Sequence, residues 1–323
     1  MIDPFGRPIT YLRLSVTDRC DLRCTYCMGE DVSFQPRSEV LTLEELERLC
    51  RAFVRKGIRK IRITGGEPLT RRNVMGLIAN LGGMVAEGSL DELTLTTNGT
   101  RLAKHAAGLA AAGIRRVNVS LDSLDEATFA GITRRGDVGT VIEGLMQAKA
   151  AGLAVKVNTV VQKGINDREI DRLVAWCGGH GFDLCLIELM PMGGVGAGSG
   201  AYLPLMIVRQ RLARSWTLLP TDHATGGPAR YVQVAETGRR IGFITPMSNC
   251  FCAGCNRMRL TCTGVLHTCL DDWRGFDLRT PLRSGEADHV LEAVIDTAVT
   301  NKPGGHDFLG KTGSGRFMNV VGG

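Results

Sequence analysis

The chain has 323 residues, of which 44% are hydrophobic and 22% are charged, a composition that predicts a globular protein with a large core. No basic segment followed by an apolar stretch opens it, and no apolar run is long enough to span a membrane, so we expect a cytoplasmic protein. Eleven cysteines in such a chain favour metal ligation over disulfides. The net charge of +6 suits an anionic small molecule or a nucleic acid, but 5% aromatic residues are few for stacking on single-stranded bases.

Short apolar strands alternate with helical patterns in the first part of the chain. The predicted strands are Tyr11–Val16, Lys60–Thr64, Glu92–Thr97, Arg116–Leu121, Ala154–Val161 and Leu184–Leu189. The helical patterns cover residues 42–56, 72–86, 101–112, 138–150 and 168–180, and the first begins with the capping pair Thr42 and Glu45. Six strand–helix units in series predict parallel strands with right-handed crossovers, either in an open sheet or in a partial barrel.

The pattern changes at Gly193–Gly200, a glycine-rich run that predicts a linker or loop. Beyond it we expect a helix at 205–214, strand-like segments at 230–235 and 240–245, a cysteine-rich loop, and a helix at 286–299. The predicted organisation is a barrel-like domain over residues 1–192, a linker over 193–200, and a smaller C-terminal α+β domain over 201–323.

The first cysteine group, Cys20, Cys24 and Cys27, has the spacing C-x3-C-x2-C on a loop after the first predicted strand. Three thiolates can hold three corners of a cubane iron–sulfur cluster and leave the fourth iron open to a small molecule. A disulfide loop or a zinc site is the structural alternative, but a zinc site usually needs a fourth nearby ligand, and residues 28–49 contain no Cys or His. The pattern resembles that of the radical S-adenosylmethionine (SAM) superfamily, in which SAM binds the open iron and is cleaved to a 5′-deoxyadenosyl radical.

The second cysteine group consists of Cys252, Cys255 and Cys269. Its spacing alone leaves zinc and an iron–sulfur cluster equally open, because Cys250, Cys262 or His267 could supply a fourth zinc ligand.

Motifs along nearly the whole chain resemble the GTP 3′,8-cyclase family of molybdenum cofactor biosynthesis. They are Thr17–Cys27, Arg62–Leu69, Thr96–Gly99, Asn118–Asp122, Lys156–Asn158, Gln162–Asn166, the second cysteine group with Arg257 and Arg259, and the terminal Gly322–Gly323. The resemblance implies a partial (β/α)6 TIM-like barrel with its chemistry at the C-terminal ends of the strands. It also implies two [4Fe–4S] clusters that face each other across the barrel, the second of them in the C-terminal domain.

The resemblance implies a role for each matching residue. The first cluster, on Cys20, Cys24 and Cys27, would cleave SAM, and the second, on Cys252, Cys255 and Cys269, would bind the guanine of GTP. The implied SAM contacts are Tyr26, Gly65, Gly66, Glu67, Ser120 and Met190. The implied GTP contacts are Arg13, Lys60, Arg62, Thr96, Lys156, Arg257 and Arg259. Gly322 and Gly323 would reach into the active site with Arg257 and Arg259 and assist radical formation, with Arg316 guiding the tail.

Two of these cations also carry an argument from the residues themselves. Lys60 and Arg62 are two apart on a predicted strand, so their side chains share one face, where burial is costly without an anion. The pairs Arg71–Arg72, Arg115–Arg116 and Arg134–Arg135 are more typical of a solvated surface.

The implied reaction begins when the 5′-deoxyadenosyl radical takes hydrogen from C3′ of GTP, after which C3′ attacks C8 of guanine. The product would be 3′,8-cyclo-7,8-dihydro-GTP, which passes to the downstream cyclic pyranopterin synthase. The family also implies an electron donor such as flavodoxin or ferredoxin, and a homodimer, without a nucleic-acid or membrane partner.

One departure from the family pattern is Cys185, in the run Cys185–Glu188, where the family has an arginine. Losing a charged hydrogen-bond donor to an anion costs about 1.5–3 kcal/mol, so we expect weaker or altered nucleotide binding unless Lys163 or an arginine of the tail compensates. A cyclase paralogue with a different substrate and a radical SAM peptide-modifying enzyme with an auxiliary cluster are the enzymatic alternatives. A zinc-binding nucleic-acid module or redox sensor is the non-enzymatic one, but it does not explain the first cysteine group followed by Gly-Gly-Glu-Pro.

Overall fold

The computed structural model describes residues 1–192, 200–272, 274–306, 308 and 316–322. Its N-terminal part alternates strands and helices. They are β1 (Tyr11–Ser15), α1 (Leu43–Arg55), β2 (Lys60–Thr64), α2 (Val74–Ala86), β3 (Glu92–Thr97), α3 (Leu102–Ala111), β4 (Arg116–Ser120), α4 (Glu126–Thr133), α5 (Val138–Ala150), β5 (Ala154–Val161), α6 (Ile170–His180) and β6 (Asp183–Glu188).

Strands β1 to β6 lie side by side in chain order, and every adjacent pair is parallel. The α/β class predicted from the sequence is therefore confirmed, and each predicted strand agrees with the structure to within one residue at either end. The capping box of α1 is also present, since the Glu45 amide donates to Thr42 Oγ1 at 3.1 Å and the Thr42 amide donates to Glu45 Oε2 at 2.7 Å. Helix α4 was not predicted.

The C-terminal part adds further strands and helices. They are α7 (Leu205–Leu212), β7 (Leu218–Pro220), β8 (Arg230–Val234), β9 (Arg240–Ile244), β10 (Arg257–Leu260), β11 (Val265–His267), β12 (Phe276–Asp277), α8 (Arg279–Arg283), α9 (Asp288–Thr300) and α10 (Met318–Val321). Short 3-10 turns cover Pro68–Thr70 and Cys252–Gly254.

The C-terminal strands continue the same sheet at both of its edges. The order in the described residues is β12-β11-β10-β1-β2-β3-β4-β5-β6-β9-β8-β7, with β10 parallel to β1 and β9 parallel to β6. The six-stranded sheet therefore does not close on itself in the described part of the chain. The cysteine-rich segment was expected to be a loop, but Arg257–Leu260 forms a strand. Met258 and Leu260 are buried on one face and the two arginines occupy the other, a period of two that four residues display too briefly to predict a strand.

The two faces of the sheet differ in chemistry. Ile61 and Ile63 of β2 belong to the apolar core, whereas Arg62, between them in the chain, lines a cavity on the opposite face. The predicted linker at 193–200 falls mostly outside the described residues, so the division at that point stays a prediction. None of the described helices combines the length and hydropathy of a membrane span.

Candidate functional site

A cavity of about 290 Å³ opens on the face of the sheet that carries Arg62, and both cysteine groups line it. Most of the predicted site residues line it as well: Arg13, Tyr26, Arg62, Gly65, Gly66, Thr96, Ser120, Lys156, Met190, Arg257 and Arg259. Three other predicted site residues, Lys60, Glu67 and Gly322, do not line the cavity. Gly323 lies outside the described residues. The structure thus brings residues from six strands and two distant cysteine motifs to one place.

The first cysteine group lies on the loop after β1. The Leu22 amide and the Asn98 side-chain amide approach Cys20 Sγ at 3.4 and 3.7 Å, as donors that would stabilise a thiolate. Burial raises the pKa of Cys20 and Cys27 to about 12 and also raises the pKa of Cys24. The three thiols therefore keep their protons until a metal displaces them. Three soft thiol donors around one cavity fit an iron–sulfur cluster with an open position.

Two glycines after β2 allow the next loop to pack against the chain that enters the first cysteine group. The Gly66 amide donates to the Thr17 carbonyl at 2.7 Å. A Cβ on Gly65 would lie 2.6 Å from the Thr17 carbonyl oxygen, too close for any side chain, and a Cβ on Gly66 would collide with the Arg19 carbonyl. Both positions line the cavity, so glycine is required here by the protein's own backbone.

Glu67 joins two loops at the edge of the cavity. Its buried carboxylate accepts hydrogen bonds from the Leu69 amide at 2.9 Å, from Thr97 Oγ1 at 2.9 Å and from the Asn98 amide at 2.6 Å. Burial raises the pKa of Glu67 to about 7 despite these donors. The side chain therefore fixes the loop after β3 against the loop after β2.

Asp122 orients Tyr26 beside the first cysteine group. Tyr26 Oη donates to Asp122 Oδ2 at 2.8 Å, and the Val160 amide donates to Oδ1 at 2.8 Å. Burial raises the pKa of Asp122 to about 6. Asp122 and Asn158 both line the cavity without having been assigned a role from the sequence. The available signals were that Asp122 directly follows a predicted strand and that Asn158 is a polar residue within one.

Five cations and one tyrosine form two rows across three adjacent strands, which we call the basic rows. The register aligns Arg257, Tyr11 and Lys60 in one row and Arg259, Arg13 and Arg62 in the next. Because residues two apart on a strand share a face, both rows point to the cavity side. Lys60 is partly neutralised there by Glu92 at 2.5 Å, and its Nζ also donates to the Thr225 carbonyl at 2.7 Å.

Crowding of like charge in the basic rows is visible in the pKa values. Burial, together with Arg259 and Arg62, holds the pKa of Arg13 well below its usual value. Burial and Arg257 lower the pKa of Arg259 to about 10. A bound polyanion would relieve both effects, because it returns opposite charge to cations that burial has separated from water.

Four buried polar atoms that border the cavity have no hydrogen-bond partner within the described part of the chain. They are Tyr11 Oη, Arg62 Nε, Thr96 Oγ1 and Asn158 Oδ1. Buried polar groups in native proteins are nearly always paired. This concentration of unpaired donors and acceptors therefore fits a polar ligand that binds between the basic rows and β5.

Cys185 lies fully buried on β6, in register with Asn158 and Gly242. Burial raises the pKa of the Cys185 thiol, and the positive charges of Lys156 and Arg62 oppose that shift. These two cations are therefore near Cys185. Lys163, which was named as a possible compensating cation, is exposed on the loop after β5. Arg316 of the tail contacts His267 Nδ1 at 2.8 Å.

The second cysteine group lines the same cavity. Burial raises the pKa of Cys252 to about 12. Burial acts in the same direction on Cys255, but Lys302 and Arg257 outweigh it and lower the pKa of that thiol to about 7. Cys252, Cys255 and Cys269 are three soft donors around one cavity, so they also fit an iron–sulfur cluster. His267, a candidate fourth zinc ligand from the sequence, instead directs Nδ1 to the Arg274 carbonyl at 2.9 Å.

The C-terminal tail runs from the first cysteine group to the basic rows. The Met318 amide donates to the Cys27 carbonyl at 3.1 Å, and the Asn319 side chain donates to the Asp18 carbonyl at 3.0 Å. The Gly322 carbonyl accepts from Arg259 Nη1 at 2.7 Å and from Arg13 Nε at 3.3 Å. The tail therefore contacts both the first cysteine group and the basic rows.

Comparison with known proteins identifies the family. The model of the Radical SAM superfamily matches residues 14–177, and the model named Molybdenum Cofactor Synthesis C matches residues 182–308. A GTP 3′,8-cyclase of Bradyrhizobium diazoefficiens is 56% identical over 329 residues, covering 100% of this chain and 96% of the relative. One from Agrobacterium fabrum is 55% identical, with 100% and 94% covered. The chain belongs to the GTP 3′,8-cyclase family.

Solved structures with the radical SAM fold resemble this family member over most of its length. The crystal structure of Streptococcus suis SuiB bound to S-adenosylmethionine has a TM-score of 0.62 and 17% identity, covering 89% of this chain and 68% of that one. The structure of anSMEcpe with bound AdoMet has a TM-score of 0.53 and 19% identity, covering 65% of this chain and 58% of that one. Identities this low establish the fold alone. As a radical SAM enzyme, this cyclase-family chain uses a [4Fe–4S] cluster and SAM.

Proposed function

We propose that the protein converts GTP to (8S)-3′,8-cyclo-7,8-dihydroguanosine 5′-triphosphate, the first step of molybdenum cofactor biosynthesis. The observation that carries this proposal is that one cavity is lined by both cysteine groups and by most of the basic rows. The family match supports the same reaction. The proposal extends to binding of GTP in this cavity and to a second [4Fe–4S] cluster.

Cys20, Cys24 and Cys27 would hold the cluster that binds SAM, and Cys252, Cys255 and Cys269 would hold the second one. When bound, the first cluster supplies the electron that cleaves SAM to a 5′-deoxyadenosyl radical. The proposed SAM contacts are Tyr26, Gly65, Gly66, Glu67, Ser120 and Met190, and Glu67 also joins the loops after β2 and β3. The cavity walls separate the reacting groups from water, which suits an intermediate that reacts with almost any C–H bond.

The basic rows would bind the triphosphate. GTP carries about four negative charges, and charge-assisted hydrogen bonds to phosphate are stronger than neutral ones. Arg13, Lys60, Arg62, Lys156, Arg257 and Arg259 would contact the nucleotide, although Lys60 already pairs with Glu92. Thr96 would donate a hydrogen bond to a ribose or phosphate oxygen, and its buried Oγ1 has no partner in the described residues. Gly322 and Gly323 with Arg257 and Arg259 would assist radical formation.

Several partners complete the proposal. An external one-electron donor such as flavodoxin or ferredoxin would reduce the first cluster. The product would pass to cyclic pyranopterin synthase. We also propose a homodimer that works in the cytoplasm without nucleic acid.

The proposal is tested by anaerobic incubation of the cluster-loaded protein with SAM, a strong reductant and either GTP, ATP or no nucleotide. We expect 5′-deoxyadenosine formation to depend on GTP and a cyclised guanosine product to appear by mass spectrometry. Equal 5′-deoxyadenosine formation without GTP would contradict the proposal and favour a peptide-modifying enzyme.

The replacement Gly322→Ala should slow turnover about tenfold or more. Gly322 has φ +74°, where alanine costs roughly 1–2 kcal/mol, and a Cβ there would lie 2.5 Å from Thr64 Oγ1. The tail carbonyl would then move away from Arg259 and Arg13. Iron content should stay normal, and so should activity in Gly83→Ala, a helical position with open space around it. Normal 5′-deoxyadenosine formation in Gly322→Ala would argue against a role for the tail.

GTP binding should weaken as the pH rises above about 8. Burial lowers the pKa of Lys156 to about 8, although Cys185 opposes the shift, so the free protein loses this cation as the pH rises through that value. Between about pH 7.5 and 8.8 the triphosphate is ionised and guanine N1 keeps its proton, so the dissociation constant should increase through loss of the Lys156 charge, by up to ~10-fold per pH unit. Titration calorimetry across that interval measures the effect. A Lys156→Met variant should bind weakly with a flat profile, and a steep profile in that variant would assign the effect to another group.

The replacement Cys185→Arg should strengthen GTP binding by roughly 10- to 100-fold if a missing arginine limits affinity. The added guanidinium would join Lys156 and Arg62 beside the same part of the cavity. Cys185→Ser, which adds no charge, is the matched control and should bind GTP as the unmodified protein does. Unchanged affinity in Cys185→Arg would show that Lys156 and Arg62 already compensate.

A further inference from the structure

We propose that Cys250, Cys252 and His306 form a binding site for a single divalent cation of the zinc class. The cation would occupy this site before the second cluster is built. Within the described residues, these three form a group whose ligand atoms all lie within 4.8 Å of one another. Two sulfurs and one imidazole nitrogen are a donor set that zinc prefers. The fourth position of the tetrahedron would be left to water.

The spacing of the three atoms suits one ion. Ligands at roughly 2.0–2.3 Å from a tetrahedral zinc lie roughly 3.3–3.8 Å apart, so three atoms that lie within 4.8 Å of one another need to approach by at most about 1.5 Å. A cubane cluster has a different requirement, since each cysteine binds its own iron and the sulfurs stand farther apart. Cys255 and Cys269, the other proposed cluster ligands, are not part of this compact group.

The two segments that supply the ligands are fixed to each other by a buried arginine. Arg7 Nη1 donates to the Cys252 carbonyl at 2.8 Å and to the Gly304 carbonyl at 3.0 Å, and Nη2 donates to the Pro303 carbonyl at 2.7 Å. Asp3 holds the same guanidinium at 2.5 Å. Because these contacts join the backbone of Cys252 to the segment just before His306, the ligands are brought together without a metal.

The individual side chains also favour an accessible site. Cys250 is exposed and Cys252 is buried, so an ion can enter from solvent past the first thiol and reach the second. The Cys252 amide approaches Cys250 Sγ at 3.4 Å, a contact that stabilises a thiolate. The His306 ring packs on Phe308 with 4.4 Å between ring centroids, which limits its rotation.

Sharing of Cys252 makes the ion and the second cluster mutually exclusive, a consequence that rests on the proposed function. The ion would hold Cys252 as a thiolate and protect it from oxidation while the cluster is absent. It must leave before Cys252 can bind iron with Cys255 and Cys269. Excess zinc is therefore expected to block assembly of the second cluster alone.

Cobalt is the direct probe of the ion site, because Co²⁺ bound to thiolates absorbs strongly in the near ultraviolet and shows visible bands when tetrahedral. Metal-free, full-length protein in which Cys20, Cys24 and Cys27 are replaced by alanine, so that the first cysteine group binds no Co²⁺, is the parent of all variants and is titrated with Co²⁺ under anaerobic conditions. We expect both features, with Cys250→Ser and His306→Asn each weakening binding at least tenfold. Cys255→Ser and Cys269→Ser, which remove only the proposed cluster ligands, should bind Co²⁺ normally. Unchanged binding in Cys250→Ser, or loss of binding in Cys255→Ser, would overturn the proposal.

Cluster assembly in the presence of equimolar zinc tests the exclusion. The unmodified protein should lose one cluster's share of iron, whereas Cys250→Ser should assemble as much iron with zinc as without it. Equal sensitivity of the two proteins to zinc would contradict the exclusion. If neither protein assembles a second cluster even without zinc, the second cluster of the proposed function fails, while the cobalt titration still decides the ion site.

Discussion

Replacement of Cys24 by alanine is expected to abolish 5′-deoxyadenosine formation, by at least ~100-fold, and to remove one cluster's share of iron. Changes that only perturb the surroundings of a metal ligand cost 10–100-fold, so loss of a ligand should cost more. Cys24 lies between Cys20 and Cys27 on one cavity wall, and the two remaining thiols cannot hold three corners of a cubane. Anaerobic iron analysis and mass spectrometry of 5′-deoxyadenosine measure the two effects.

Cys177→Ala is the matched control for this prediction. Cys177 is a buried thiol on α6 that belongs to the apolar core, so its loss should leave iron content and turnover unchanged while lowering the free energy of unfolding by about 1 kcal/mol. A full iron complement in Cys24→Ala would show that the first cysteine group does not hold a cluster.

The second large effect is expected from Arg62→Met, which should weaken GTP binding ~10- to 150-fold. Loss of a charge-assisted hydrogen bond to an anion costs about 1.5–3 kcal/mol, and each 1.4 kcal/mol is a factor of ten. Arg62 is buried, lines the cavity between Arg13 and Thr94 in register, and has an Nε without a partner in the described part of the chain. SAM binding should be unaffected, because the proposed SAM contacts lie on loops or, for Ser120, at the last residue of β4, and none is aligned with Arg62 in the sheet.

In the absence of nucleotide, Arg62→Met should not lower the free energy of unfolding. Removing one of several crowded cations from the basic rows relieves repulsion and desolvation, so the free energy of unfolding of Arg62→Met should equal or exceed that of the unmodified protein. Arg72→Met, at an exposed arginine near the start of α2, is the control and should change neither quantity. Weak GTP binding together with a large loss of stability would mean that Arg62 is a structural residue.

The strands and the first cysteine group were predictable because their signals are local. Each of β1 to β6 shows an apolar run or an apolar alternation over at least five residues, and the spacing of Cys20, Cys24 and Cys27 is contained in one loop. Helix α4 escaped prediction because only eight residues form it, and β10 escaped because its alternation of arginines and apolar residues covers only four residues. The position of β10 beside β1 depends on pairing across more than two hundred residues, which no local pattern records.

The candidate site was predictable in its residue types and less so in its geometry. Lys60 and Arg62 were expected to share a face, and the register adds Arg13, Arg257 and Arg259 to the same surface. Glu67 was assigned to SAM from its motif, and the structure adds three protein donors to its carboxylate that the motif did not predict. His306 near Cys252 could not be foreseen, since Arg7 joins those segments through backbone carbonyls.

Transfer of deuterium from GTP labelled at C3′ to 5′-deoxyadenosine tests the central claim most directly. The cluster-loaded protein is incubated anaerobically with SAM, a strong reductant and the labelled GTP, and 5′-deoxyadenosine is analysed by mass spectrometry. The account predicts one deuterium in that product, because SAM and GTP would meet in the cavity between the two cysteine groups. 5′-Deoxyadenosine without deuterium would contradict the assignment of GTP as the substrate attacked at C3′.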